Sequence, residues 1–253
     1  YLENVDINIL GNDKKINFIS TGNSSIYISN SKNVKIENCI FKNFKNLSNE
    51  LLKLPSAITF YNSNVEINNC LFSNNKFGDD YINFYGSEFI VNNSTFKNVL
   101  SDAIDSDFSN GEILNCRFIN IGNDALDFSG SNVISSNNLF FKIGDKSISA
   151  GESSQLFSSN DIFDQCEIGI VSKDGSEVNS IKNTFTSNVL DYVVFKKKDF
   201  YTTPSLVIDH DLNNIKYLFE ENSLIKTKNN EKFVTSHNVG DLLYGKKYGK
   251  ASK

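Results

Sequence analysis

A short pattern of Asn, a small residue, any residue and Phe recurs through the middle of this chain, and it constrains the fold more than any other feature. It reads Asn38-Cys39-Ile40-Phe41, Asn69-Cys70-Leu71-Phe72, Asn93-Ser94-Thr95-Phe96, Asn115-Cys116-Arg117-Phe118, Asn137-Asn138-Leu139-Phe140 and Asn160-Asp161-Ile162-Phe163. A seventh copy, Lys182-Asn183-Thr184-Phe185, closes the series, and successive phenylalanines are 31, 24, 22, 22, 23 and 22 residues apart. A second column alternates ahead of them: Ile58/Phe60, Ile82/Phe84, Ile104/Ser106, Leu126/Phe128, Ile148/Ala150 and Ile170/Ser172. Between the columns lie runs such as Val34-Lys35-Ile36 and Val65-Glu66-Ile67, whose period of two is that of a strand with one buried face.

Three short strands in each turn of about 22 residues predict an all-β fold, a right-handed parallel β-helix of roughly 8–10 coils that bury their apolar faces against one another. A leucine-rich repeat has a similar period, but its Leu-x-x-Leu-x-Leu frame is absent. A β-sandwich needs hairpin turns, and no consistent Asn-Gly or Asp-Gly signal separates the strands. The expected organisation is one solenoid over residues 1–220, with regular coils at about 26–190 and irregular ones at 191–220, then a cap or tail at 221–253. The 31-residue step leaves room for a loop or short helix at 46–55, and Lys196-Lys197-Lys198 reads as a solvated turn.

The position after each Asn holds Cys39, Cys70, Ser94, Cys116, Asn138, Asp161 and Asn183. Small polar groups stacked in register can satisfy turn backbone and one another, so stacked free thiols are expected rather than a Cys39–Cys70 disulfide. Cys166 falls in the apolar column of Phe44, Val99, Ile121 and Ile143. No Cys-x-x-Cys or Cys/His spacing for zinc occurs.

Composition removes several function classes. With 25 basic and 30 acidic residues the net charge is −5, and Arg117 is the only arginine. A nucleic-acid partner is therefore not expected, nor is anion recognition by paired guanidinium groups. No apolar run approaches the ~20 residues that span a bilayer, so membrane insertion is not expected either. The chain starts at Tyr1 rather than at a methionine, so it reads as a processed or partial chain in which a leader segment would not be seen.

If Ile104 and Ser106 point inward, their neighbours point outward and line an exposed sheet. Its rows read Ala57/Thr59/Tyr61, Tyr81/Asn83/Tyr85, Ala103/Asp105/Asp107, Ala125/Asp127/Ser129, Ser147/Ser149/Gly151 and Gly169/Val171/Lys173, with Asp80, Asp102, Asp124 and Lys146 leading into them. At the ~4.8 Å spacing of strands, Asp105 and Asp127 sit side by side, as do Asp102 and Asp124. Like charges so stacked oppose folding unless a cation, a lysine or a shifted pKa relieves them. Calcium held by Asp102, Asp105, Asp124 and Asp127 is one reading. General acid–base chemistry by Lys146, Lys173 and Asp127 is another. Tyr61, Tyr81 and Tyr85, with Asn83, Asp105 and Asp107, make a platform for sugar rings.

The succession Asp102-Ala103-Ile104-Asp105, Gly122-Asn123-Asp124-Ala125-Leu126-Asp127, Gly144-Asp145-Lys146-Ser147 and Gly169-Ile170-Val171-Ser172-Lys173, followed by Phe195-Lys196-Lys197-Lys198, resembles a known module. It is similar to the right-handed β-helix domain that accompanies CotH-type (spore-coat-like) kinase domains in bacterial proteins, over about residues 80–230. The resemblance implies the fold and an extracellular or cell-surface setting beside other domains of a larger polypeptide, and no particular mechanism. The leading expectation is a carbohydrate-binding or carbohydrate-processing module with a polysaccharide along the Tyr/Asp face. The alternatives are a polysaccharide lyase or epimerase using Lys146 or Lys173, and a structural or adhesin repeat.

Overall fold

The computed structural model describes residues 1–22, 24–46, 54–75, 77–227, 239 and 243. Among them the chain winds as a parallel solenoid with two ten-stranded sheets and one eight-stranded sheet. Sheet I runs from Leu2–Glu3 to Tyr217–Phe219, sheet II from Ile7–Leu10 to Leu224–Lys226, and sheet III from Ile16–Ile19 to Thr184–Thr186. One coil supplies one strand to each, for example Asp102–Asp107, Asn110–Leu114 and Arg117–Ile121. The repeat spacing read from the sequence is thus the length of one coil, about ten coils in all.

The phenylalanines form a ladder along the axis. Rings of Phe18, Phe41, Phe72, Phe96, Phe118, Phe140, Phe163 and Phe185 stack at centroid separations between 4.7 and 5.1 Å. That distance is the spacing of neighbouring strands, so a ring repeated once per coil meets its own copy in offset stacking.

Asparagine is abundant because the turns need it. The first residue of the repeated pattern adopts a left-handed backbone, with φ of 55° at Asn38, 50° at Asn69, 49° at Asn93, 54° at Asn115, 57° at Asn137 and 53° at Asn160. Asn tolerates that region better than other side chains with a Cβ, which gives each coil a sharp corner without glycine or proline. The next residue caps backbone as expected: Cys70 N–H donates to Ser94 Oγ at 3.1 Å, Cys116 N–H to Asn138 Oδ1 at 2.7 Å, and Asn138 N–H to Asp161 Oδ1 at 2.8 Å. Cys39, Cys70, Cys116 and Cys166 are buried free thiols. A second ladder, of serines, occupies the corner between sheets I and II. Each backbone N–H from Ser31 through Ser63, Ser87, Ser109, Ser131 and Ser154 donates to the hydroxyl of the serine one coil on, at 2.9–3.1 Å.

One expected orientation is reversed. Tyr81, Ala57, Ala103, Ala125, Ser147 and Gly169 do not face outward. Tyr81, Ala57, Ala103 and Ala125 belong to the core, and a Cβ on Gly169 would meet the Phe185 ring at 2.7 Å. At the corner between sheets III and I two successive residues point inward, so strict alternation begins only at Ile58, Ile82, Ile104 and Leu126. Tyr81 is therefore no sugar platform: its hydroxyl donates inside the coil to the carbonyl of Phe41 at 2.9 Å.

Most of the expected loop at 46–55 and most of the expected cap at 221–253 lie outside the described residues. Val239 is an exception that matters. It packs with Ile168, Val171, Val193 and Phe195, and Leu243 with the same cluster, against the outer face of sheet I. Val239 and Leu243 thus cover one end of the face predicted to carry the site.

Candidate functional site on the outer face of sheet I

Three outward columns cross neighbouring strands in register. Asp80 pairs with Asp102, Asn83 with Asp105, Tyr85 with Asp107 and Asp105 with Asp127. Lateral apposition of the acids is therefore as the repeat spacing requires.

The first column is largely committed to holding coils together. Asp102 Oδ1 accepts the backbone N–H of Asp124 at 2.8 Å and the Asn123 amide at 2.7 Å. Asp124 Oδ1 accepts the N–H of Lys146 at 3.0 Å. Lys146 Nζ in turn contacts Asp124 at 3.1 Å and Asp145 at 2.7 Å, and all three side chains are buried. The expected base Lys146 is thus enclosed in an ion-paired cluster rather than presented on the face. Asp80 departs from this pattern. The N–H that it would cap by analogy, that of Asp102, donates instead to the Asp79 carbonyl at 2.9 Å. Asp80 is buried, and its carboxylate lies close to those of Asp79 and Asp102.

Burial, reinforced by Asp102, Asp79, Asp107 and Asp127, pushes the Asp80 carboxyl up to about 8. Burial also raises Asp102 to about 6, against the hydrogen bond from Asp124. Asp124 is raised by burial and pulled back by Lys146. One carboxylate oxygen from each of Asp79, Asp80 and Asp102 lies within 4.8 Å of the others, the spacing that a hard cation requires. Spacing did not single out Asp79, because it precedes the aligned strand; the corner turns its carboxylate to the same side as those of Asp80 and Asp102.

The third column is the accessible one; in the second, Thr59, Asn83 and Ser149 are buried and Asp105 and Asp127 are half-buried. Asn83 Nδ2 bridges Asp105 Oδ2 at 2.9 Å and Asp107 Oδ2 at 3.0 Å. Burial and the charges of Asp80, Asp107 and Asp127 raise Asp105 well above the ordinary carboxylate range, and Asp107 is raised chiefly by burial. Asp127 Oδ1 lies 3.5 Å from Lys173 Nζ. Lys173 reaches it across Gly151, where a Cβ would stand 2.4 Å from Lys173 Cε, so the missing side chain makes the passage. Tyr61 and Tyr85 continue the third column as exposed rings stacked at 5.4 Å.

The triple-lysine turn belongs to the face as well. Lys197 and Lys198 N–H groups both donate to Asp174 Oδ1 at 2.7 Å, which folds the turn over the end of the sheet. Lys198 is ion-paired with Glu152. Desolvation, then the charges of Lys173, Lys146 and Lys198, lowers the Lys197 ammonium. The face therefore runs from exposed tyrosines through carboxyls, several held partly protonated, to a cluster of lysines. It offers flat apolar rings, hydrogen-bond donors and acceptors, proton-holding acids and cationic groups within one strip.

No curated protein sequence matches the chain. Among solved structures it is similar to PfbA, a surface adhesin of Streptococcus pneumoniae, at 13% identity and a TM-score of 0.41, covering 94% of this chain and 81% of that one. It is also similar to trypsin-treated QnrB1, a plasmid-mediated fluoroquinolone resistance protein, at 13% identity and a TM-score of 0.25, covering 87% and 97%. A family model described as a right-handed β-helix region matches residues 7–162, more than half of the 253 residues. With its coils, ladders and parallel sheets, the chain belongs to the right-handed β-helix family.

Proposed function

We propose that this chain is a carbohydrate-binding β-helix module that lays an extended glycan along the outer face of sheet I. The observation that carries the reading is the exposed Tyr61–Tyr85 stack beside the Asn83, Asp105 and Asp107 network. Sugar rings present an apolar face to aromatic rings and hydroxyls to carboxylates, and the strip supplies both. The resemblance to the β-helix module that accompanies CotH-type kinase domains, carried by its acidic and Gly-Asp-Lys segments, supports a setting at the bacterial surface, next to other domains of a larger polypeptide.

Calcium is the cation we infer for this face, at Asp79, Asp80 and Asp102. Asp124 and Asp127, counted on sequence grounds among its ligands, already face Lys146 and Lys173. The buried Asp80, with a carboxylate oxygen within 4.8 Å of one from Asp79 and one from Asp102, supports the shifted position. Millimolar calcium is expected to raise the melting temperature of the wild type and not that of Asp80→Asn; an equal response in both removes Asp80 as a ligand.

A second reading, a polysaccharide lyase or epimerase, is favoured by Lys173 beside Asp127, with the lowered Lys197 ammonium near it. Uronate carboxylates would be neutralised by the lysines while one basic group takes the C5 proton. In a lyase the C4–O glycosidic bond then breaks, its oxygen leaving protonated and a C4–C5 double bond remaining, and in an epimerase a proton returns to the opposite face of C5. The deciding experiment is a panel of neutral and uronate polysaccharides, scored for binding and for ultraviolet absorbance of unsaturated products. Binding without absorbance supports the module, and absorbance that disappears in Lys173→Ala and Asp127→Asn supports the lyase. No binding to any polymer leaves the structural or adhesin repeat as the function.

A further inference from the structure

The corner following each sheet I strand takes a left-handed residue, and five successive coils fill it with Asn30, Asn62, Gly86, Phe108 and Gly130, at φ of 52°, 47°, 57°, 50° and 60°. Their N–H groups make equivalent bonds to the next coil, from Asn30 to the Tyr61 carbonyl through Phe108 to that of Ser129. Four of the five are the residue types that this conformation favours. Phe108 is not, and a bulky side chain there is strained.

Among the described residues, burial in the core does not offset that strain. Phe108 is 61% exposed and takes no part in either hydrophobic cluster. Its ring stands edge-on to Tyr85, with centroids 5.7 Å apart and planes at 72°. On the other side it overhangs Gly130, where a Cβ would come within 2.8 Å of it. Tyr61, Tyr85 and Phe108 therefore form one continuous exposed aromatic strip, and its last member turns upright beside Asp107. Exposed Lys142, Gln165 and Lys182 are left-handed too, but among the described residues other than glycine with a left-handed backbone Phe108 alone is aromatic. It is the ring set beside Tyr85, more than the strain, that points to a role outside folding.

We infer that Phe108 is the specificity-determining wall of the sugar site, an upright ring against which a pyranose lying along the exposed outer edges of the stacked Tyr61 and Tyr85 is stopped and oriented toward Asp105 and Asp107. This rests on the glycan reading above. The wall selects an extended chain of rings with an apolar face free at that point, and it excludes one branched or substituted there.

The test measures affinity and folding together. Wild type, Phe108→Asn, Phe108→Gly and Phe108→Trp are titrated with fluorescently labelled cellohexaose, xylohexaose and the hexamers of mannuronate and galacturonate, and melted in parallel. Asn and Gly variants are expected to melt at or above the wild-type temperature, because the left-handed strain is relieved. They should bind the oligosaccharide preferred by wild type about tenfold more weakly and discriminate less among the four. Phe108→Trp should keep the affinity. If wild type binds a hexamer and Phe108→Asn binds it equally, the wall is refuted and the glycan reading survives. If the Asn and Gly variants melt lower, the ring serves the fold and the inference fails. If wild type binds none of the four, this inference falls along with the glycan reading for these sugars.

Discussion

Lys146 illustrates how a residue's type can be read from sequence while its task cannot. Its ammonium, held by Asp124 at 3.1 Å and Asp145 at 2.7 Å, closes an acidic column that would otherwise end in unopposed buried carboxylates. Lys146→Ala is expected to destabilise by about 3–5 kcal/mol, since breaking one partner of a buried pair strands the other. The Lys146→Ala, Asp124→Asn double variant should recover part of that loss in urea melts; a loss equal to the sum of the two single variants would remove the pair as the cause. Titration gives a second prediction. With Asp80 raised to about 8 and Asp102 to about 6, the folded chain holds protons that the unfolded chain, near 3.8, has released. Stability must then fall as pH rises through that window and return on acidification. The melting temperature should be higher at pH 5.5 than at pH 8.5, and Asp80→Asn should flatten the difference by stabilising the alkaline end. A flat profile in wild type would show that the cluster is not proton-linked to folding.

At the level of elements the protein is a set of ladders, and each ladder repeats one solution to a local problem. Phe118 sits between Phe96 and Phe140, with centroids 5.1 and 5.0 Å away. Phe118→Ala is expected to cost about 3–5 kcal/mol, because rigid neighbouring coils cannot collapse into the space. Ser131 accepts the Ser109 N–H at 3.1 Å and donates to the Ser106 carbonyl at 2.8 Å. Ser131→Ala should cost about 1–3 kcal/mol by leaving a buried N–H without an acceptor. Chemical denaturation of both variants checks the ranking, with the phenylalanine change the larger. The phenylalanine ladder was legible because Phe is conspicuous and its period regular. The serine ladder recurs just as regularly, yet serine is common enough in this chain that its spacing draws no notice until hydrogen bonds connect the copies.

For the whole molecule, the outer face of sheet I is bounded as much by what lies over it as by what it contains. Val239 covers Val171, Val193 and Phe195, so the lysine end of the strip is walled by residues distant in sequence. Val239→Asp is expected to lower the melting temperature and raise binding of a hydrophobic dye, while a glycan footprint confined to Tyr61, Tyr85 and Asp105 stays intact. The sequence by itself determined the coil length, the parallel solenoid, the inward phenylalanines, the stacked free thiols and the apposition of Asp105 with Asp127. All of these follow from periodicity, and in a solenoid one repeat sits directly above the last. Tertiary structure alone decided the exceptions at corners and overlaps. Two successive inward residues turn Tyr81 into the core, the Asp79 carboxylate turns to the side of Asp80 and Asp102, and a strained Phe108 stands beside Tyr85. The lysine turn, with Val239 and Leu243, closes over one end. Periodicity specifies which strands are neighbours but not how a corner is turned, because corner geometry depends on backbone angles and on chain that arrives from elsewhere.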